Sequence, residues 1–222
     1  MSEANPKLDI KALAVGPYQA NCYLVTCLET NEAVIIDPGA EEARIAALVR
    51  LVGCKVRLIL NTHGHHDHVM GARGLADMLE APIAMHEQDA TFFKGLHRSR
   101  TLSSSSLAYP EADILLLDGQ ELEVGAMQFI VLHTPGHTPG SVCFLCQNHL
   151  FTGDTLFVEG VGRTDTGGMT LQDLLNSIEN KILPLPGDTI IHPGHDYGST
   201  PTSTIAQERE NNPYIRDFIL DK

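Results

Sequence analysis

Residues 58–68 read LILNTHGHHDH, an apolar run that stops abruptly at a turn. In that turn His63, His65, His66, Asp67 and His68 can all bind a divalent metal. The apolar part has the character of a buried strand, and open α/β sheets place ligands just beyond the carboxyl ends of their strands. Side chains in a short turn converge on one point, where those of a helix would spread along a face. His63, His65, Asp67 and His68 are therefore candidate metal ligands.

Downstream the arrangement recurs. MQFIVLHT is followed by PGH with His137, HLFTG by Asp154, and DTIIHPG by His195. Each candidate stands just past an expected strand. A lone histidine would ordinarily be a polar turn residue, but seven ligand-type residues at four strand ends point to a metal centre with open positions. His66, His86, His97, His133, His149 and His192 fit no such position and are expected at the surface or behind the ligands.

Around these motifs the pattern is α/β. IKALAV, NCYLVTCLE and EAVIID, separated by turn residues, predict three antiparallel strands. From Glu41 the apolar residues Ile45, Leu48, Val49 and Val52 keep a helical period that ends at Gly53, and the strand KVRLILN follows. A helix is expected over Val69 to Glu80, then a strand PIAMH, then a helix from Glu87 toward Gly95. SRTLSSSSLAYPEA reads as a flexible surface loop. Strands resume at DILLL, ELEVG, MQFIVLHT, SVCFLCQ and HLFTGD, and a helix from Leu171 to Ile182 leads into DTIIHPGHD. Two runs of strands, each completed by helices, predict a four-layer αββα sandwich, in one domain over residues 1–222.

HxHxDH, TPGHTPGS, GDTLF and PGH, in this order, resemble the metallo-β-lactamase-fold hydrolases, and the resemblance spans nearly the whole chain. LAVGPYQANCYLV, IIDPGA, GDTLFVEGVGRTD and STIAQERENNPYI are similar to the glyoxalase II-like group, the hydroxyacylglutathione hydrolases, in a compact form. The resemblance implies that His63, His65 and His137 hold one metal and Asp67, His68 and His195 another, with Asp154 bridging. It implies a small-molecule thioester substrate such as an S-hydroxyacyl-glutathione, with Asp67 and Asp154 as catalytic residues. Arg163 and Tyr197 stand where the group binds glutathione, whereas Asp165 replaces a tyrosine, and a compact form without the C-terminal helical domain of the full-length enzymes is expected.

Nitrogen and carboxylate donors without thiolate suit zinc, iron or manganese, with zinc the first expectation. Two such ions lower the pKa of bound water toward ~7 and polarise a carbonyl, so water is the nucleophile. A thiol leaving group, with a pKa near ~8.5, needs no strong general acid. Persulfide dioxygenases resemble the chain in GRTD and HDY; in that alternative His63, His137 and Asp154 form a facial triad for one iron. A lactonase or β-lactamase-like hydrolase is a further alternative.

Composition narrows the field. With 15 Lys and Arg against 28 Asp and Glu, the formal charge of −13 disfavours nucleic acid. MSEANPKLDI lacks a basic start followed by an apolar stretch, and no run of about 18 apolar residues occurs, so no membrane association and a cytoplasmic location are expected. Cys22, Cys27, Cys54, Cys143 and Cys146 are expected as free thiols, and the CxxC of Cys143 and Cys146 as ordinary strand residues. Ser103 to Ser106 lack a GxSxG elbow, and GVGRTDTGG lacks the nucleotide-binding fingerprints.

Overall fold

The computed structural model describes residues 6–100, 109–167 and 169–221, with side chains described for all of these except 94–100. Ser103 to Ser106 and the side chain of His97 lie outside the described residues.

Strands β1 (Leu8–Val15), β2 (Ala20–Cys27), β3 (Glu32–Ile36), β4 (Lys55–Leu60), β5 (Ile83–His86) and β6 (Ile114–Leu116) form one sheet in sequential order. Its first three strands pair antiparallel and the rest parallel. The second sheet contains β7 (Glu121–Val124), β8 (Met127–His133), β9 (Val142–Cys146) and β10 (His149–Gly153). After a small hairpin of β11 (Leu156–Phe157) and β12 (Gly160–Val161), β13 (Ile190–Pro193) and β14 (Ser203–Thr204) complete it in the order β14-β13-β10-β9-β8-β7.

The sheets stack through alternate residues of each strand. Tyr23, Val25, Val34, Ile36, Leu58 and Leu60 meet Phe129, Val131, Phe144, Cys146 and Phe151 from the other sheet. Burying Phe129, Phe144 and Phe151 completely contributes ~1.5–3 kcal/mol each relative to exposure. The intervening residues Leu24, Ala33, Ile35 and Ile59 face helices α1 (Glu42–Val52) and α3 (Ala72–Leu79). On the far side Cys143, Leu150 and Ile191 face α5 (Leu171–Ser177), its π-helical extension to Ile182, α6 (Ile205–Asn211) and the short turn α7 (Pro213–Ile215). Both faces of the central strands are thus apolar, which is why they read as continuous runs. The result is the four-layer αββα sandwich.

Cys143 and Cys146 behave as ordinary strand residues, buried on opposite faces of β9, and all five cysteines are free. The segment STIAQERENNPYI packs Ile205 and Ile215 onto the sheet, capped at Thr204 by a reciprocal bond pattern with Gln207.

Two expectations need correction. The helix over Val69 to Glu80 is two pieces, α2 (His66–Val69) and α3, broken at Met70 and Gly71. A Cβ on Gly71 would lie 2.6 Å from the Pro38 carbonyl, so this turn is pressed against the β3–α1 loop. The loop expected at 99–112 begins inside helix α4 (Glu87–Arg100) and includes the buried Tyr109. Tyr109 stacks on Phe93 and donates its hydroxyl to Gly64 O at 3.0 Å, so a residue expected in solvent instead supports the histidine-rich turn. No helix among the described residues is long and apolar enough to cross a membrane.

Candidate metal centre

The carboxyl ends of β4, β8, β10 and β13 converge at one rim of the sandwich and bring all seven predicted residues together. Within 4.8 Å of one another lie the ligating atoms of His63, His65 and His137, and likewise those of Asp67, His68 and His195. Asp154 stands between the groups. Its carboxylate is 3.4 Å from His68 Nε2, 3.5 Å from His137 Nε2 and 3.6 Å from His195 Nε2. Gly153 reaches this corner with φ +49°, and a Cβ on Gly194 would collide with Asp154 Oδ1, so small residues bring β10 and β13 together here.

Hydrogen bonds behind the rings decide which nitrogen faces inward. His137 Nδ1 is 2.7 Å from Arg163 O, which can only accept, so the proton is on Nδ1. His68 Nδ1 donates to Asp37 Oδ2 at 2.9 Å. Thr62 gives its one hydroxyl hydrogen to Asp37 at 2.6 Å, so at 3.0 Å it can only accept from His63 Nδ1. Three histidines therefore spend Nδ1 on an acceptor behind the ring and turn Nε2 toward the centre, the orientation in which a neutral imidazole coordinates a metal.

A cation is what these atoms fit. His63 Nε2 and Asp154 Oδ1 are buried and have no hydrogen-bond partner. His65 Nδ1 and His137 Nε2 approach to 2.8 Å, and His68 Nε2 and His195 Nε2 to 3.2 Å. Such nitrogen pairs are mutually repulsive unless a proton or metal lies between them.

Electrostatics agree. Burial and neighbouring histidines push His63 well below its ordinary value and His65 down to about 4, holding both neutral. Burial also opposes charge on His68, but Asp154, Asp37 and Asp67 outweigh it and raise His68 to about 9. Without metal, a proton on His68 supplies the positive charge these carboxylates demand. Burial pushes Asp67 up, yet its bond to His195 and the charge of His68 hold it below the usual carboxylate range.

A cleft of about 540 Å³ opens over the centre, lined by Tyr18, His66, Arg163, Thr166 and Tyr197 together with ligand candidates. An adjoining hollow of about 400 Å³ shares Asp154, Arg163 and Tyr197 and adds Phe157, Val158, Val161 and Tyr214. Tyr197 stacks on His195 with ring centroids 4.9 Å apart. The Arg163 guanidinium is paired with Asp165 through contacts of 2.7 and 2.8 Å, which raises Arg163 and lowers Asp165 to about 2. His66 is exposed at the cleft wall, while His86, His133, His149 and His192 lie away from the centre.

Two buried carboxylates beside the ligand turns, Asp37 and Asp89, have no role in the sequence reading. Asp37 follows β3 just as the ligands follow their strands, so strand-end position was a usable signal. Asp89 sits in the first turn of α4, where nothing in the sequence separates it from a solvated helix residue.

The Metallo-beta-lactamase superfamily profile matches residues 15–195. Hydroxyacylglutathione hydrolase GloC of Haemophilus influenzae is 36% identical over 217 residues, covering 94% of this chain and 98% of that protein. The mitochondrial persulfide dioxygenase ETHE1 of Homo sapiens is 36% identical over 196 residues, 87% of this chain and 70% of that protein. Among solved structures, the BLEG-1 B3 metallo-beta-lactamase superposes with a TM-score of 0.83 at 36% identity, covering 94% of this chain and all (100%) of that one. TTHA1623 in a di-iron-bound form gives a TM-score of 0.78 at 35% identity, covering 92% and 99%.

Proposed function

Because the chain belongs to the metallo-beta-lactamase superfamily, we propose that it is a cytoplasmic dinuclear metal-dependent hydrolase of small-molecule thioesters, S-hydroxyacyl-glutathione among them. The observation that carries this reading is the set of inward-facing Nε2 atoms of His63, His68 and His137, each ring fixed by an acceptor behind it and aimed at a point beside Asp154. Residues His63, His65 and His137 would hold one ion and Asp67, His68 and His195 the other, with Asp154 shared. The donor set suits zinc first, with iron or manganese as the other ions it can hold. When bound, the metal pair supplies a water nucleophile ionised near neutral pH and stabilises charge on the substrate carbonyl oxygen.

The protein's own groups do the rest. Asp67, kept ionised at neutral pH and lining the cleft, would orient the attacking water. A thiolate leaves without a dedicated acid because its pKa is near ~8.5. Tyr197 and Arg163 stand at the mouth of the cleft to orient the substrate. A substrate carboxylate must compete with Asp165 for the Arg163 guanidinium, which tempers the affinity for anionic substrates.

Metal content per chain, measured on protein purified without chelators, tests this first. About two ions per chain, followed by hydrolysis of an S-hydroxyacyl-glutathione, supports the proposal. The likeness to ETHE1 favours a second reading, a mononuclear iron persulfide dioxygenase using His63, His137 and Asp154. One iron per chain and oxygen uptake with glutathione persulfide would select it. Opening of a lactone or β-lactam without thioester cleavage would select the ring-opening hydrolases.

A further inference from the structure

Asp89 lies on neither wall of the cleft, yet it is wholly buried. Its carboxylate is saturated by donors from two loops. Oδ2 accepts from Gly64 N and from Thr138 Oγ1, both at 2.7 Å, and Oδ1 accepts from Gly140 N at 2.6 Å. Gly64 stands between His63 and His65, and Thr138 directly follows His137. A single carboxylate therefore joins the turn after β4, in one sheet, to the turn after β8, in the other.

The joint is close-fitting. A Cβ on Gly140 would come within 2.7 Å of Asp89 Oδ1, so that glycine permits the approach. Thr138 Oγ1, having given its hydrogen to Asp89, accepts from Ser141 Oγ at 2.7 Å, which in turn accepts from Thr138 N at 3.0 Å. The whole His137 turn is thus tied to Asp89.

Asp37 serves differently. It bonds His68 directly and reaches His63 through Thr62, so it touches both groups of ligands. Among the described residues, the side-chain hydrogen bonds of Asp89 fall on Gly64, Thr138 and Gly140, in the turns that carry His63, His65 and His137.

We propose that Asp89 is a positioning residue for one metal position only, fixing the spacing of His63 and His65 against His137 and thereby setting the affinity of that position. The inference rests on the metal-site reading above and goes beyond it by separating the supports of the two positions.

Zinc titration of chelator-stripped protein against a chromophoric competitor, resolving each dissociation constant per chain, tests it. In Asp89→Asn an amide NH2 replaces one acceptor and faces a donor. One dissociation constant should rise by about 10–100-fold, the usual cost of losing such support, while the other stays within about twofold. Thr138→Ala, which leaves the carboxylate and both backbone donors in place, should raise the same constant by less, and it decides the matter if Asp89→Asn fails to fold. Asp37→Asn should raise both. Equal loss at both positions in Asp89→Asn and Thr138→Ala, or no change in either variant, would overturn the proposal while leaving the metal site intact. Wild-type protein that binds no zinc would overturn the metal-site reading and this proposal with it.

Discussion

The histidines at the rim converge on carboxylates, whereas His192, buried between the sheets with His149 beside it, does not. At the rim, His63, His68 and His137 spend Nδ1 on an acceptor behind them and leave Nε2 facing Asp154 and one another. Between the sheets, His192 is as buried, but its Nε2 meets His149 Nδ1 at 3.0 Å and its ring stacks on Phe151 and meets Tyr23 edge-on. The His149 and His192 nitrogens meet each other among aromatic neighbours, whereas at the rim His63 Nε2 and Asp154 Oδ1 stay buried without a hydrogen-bond partner. A lowered pKa does not tell the sets apart, as desolvation takes His192 to about 3 and His65, at the rim, to about 4. What distinguishes a ligand is the partner of its other nitrogen.

The largest test removes the shared carboxylate. Asp154→Ala should lose metal and reduce hydrolysis by more than about 100-fold, since even the loss of a supporting residue costs about 10–100-fold. Elemental analysis beside a thioester assay checks it, and full metal with a full rate would end the bridging assignment.

Asp37→Asn should come next. An amide at 37 must turn its NH2 toward His68 Nδ1 or Thr62, which forces the His68 proton to Nε2 or breaks the Thr62 bond. Metal affinity should drop about 10–100-fold with the fold retained by circular dichroism. An unchanged affinity would mean that tautomer control is not what separates the two sets of histidines.

His192→Gln addresses the self-satisfied pair. It should cost ~1–3 kcal/mol of stability and leave metal content unchanged. Folded His192 takes up its proton near pH 3, against about 6.5 when unfolded, so between those values the unfolded chain binds more protons. Stability is therefore fully present above about 6.5 and falls as pH drops toward 3. Denaturant melts across that window should show a shallower loss in His192→Gln than in the wild type, and an equal slope would remove His192 from the account.

The smallest effect is expected at His66, which is exposed between two ligand candidates. His66→Ala should shift stability by no more than ~0.5 kcal/mol and retain both metals. Loss of an ion in this variant would show that exposure does not separate ligands from bystanders.

Much of this was legible before any coordinates. β4, β8, β10 and β13 were readable because apolar runs end in polar clusters, and Cys143 and Cys146 because no second pair accompanies them. Gly53 and the 3.6-residue period of Ile45 and Val49 marked α1. Other features rest on contacts between distant parts of the chain. Tyr109 follows a run of four serines that reads as a surface loop, and its packing against Phe93 and Gly64 takes it out of solvent. The break at Gly71 depends on a carbonyl of Pro38, and the pairing of Arg163 with Asp165 on how a loop turns back on itself.

The sequence by itself determined the period of each element and the chemical type and order of the seven candidates, because both are written in side chains that are neighbours along the chain. Tertiary structure alone decided which histidine nitrogen faces inward and that Asp37 and Asp89 sit behind the ligands. It also decided that His149 and His192 satisfy each other. A tautomer is set by whatever stands at the far side of the ring, and that partner comes from a strand or helix whose position follows only from the packing of two sheets.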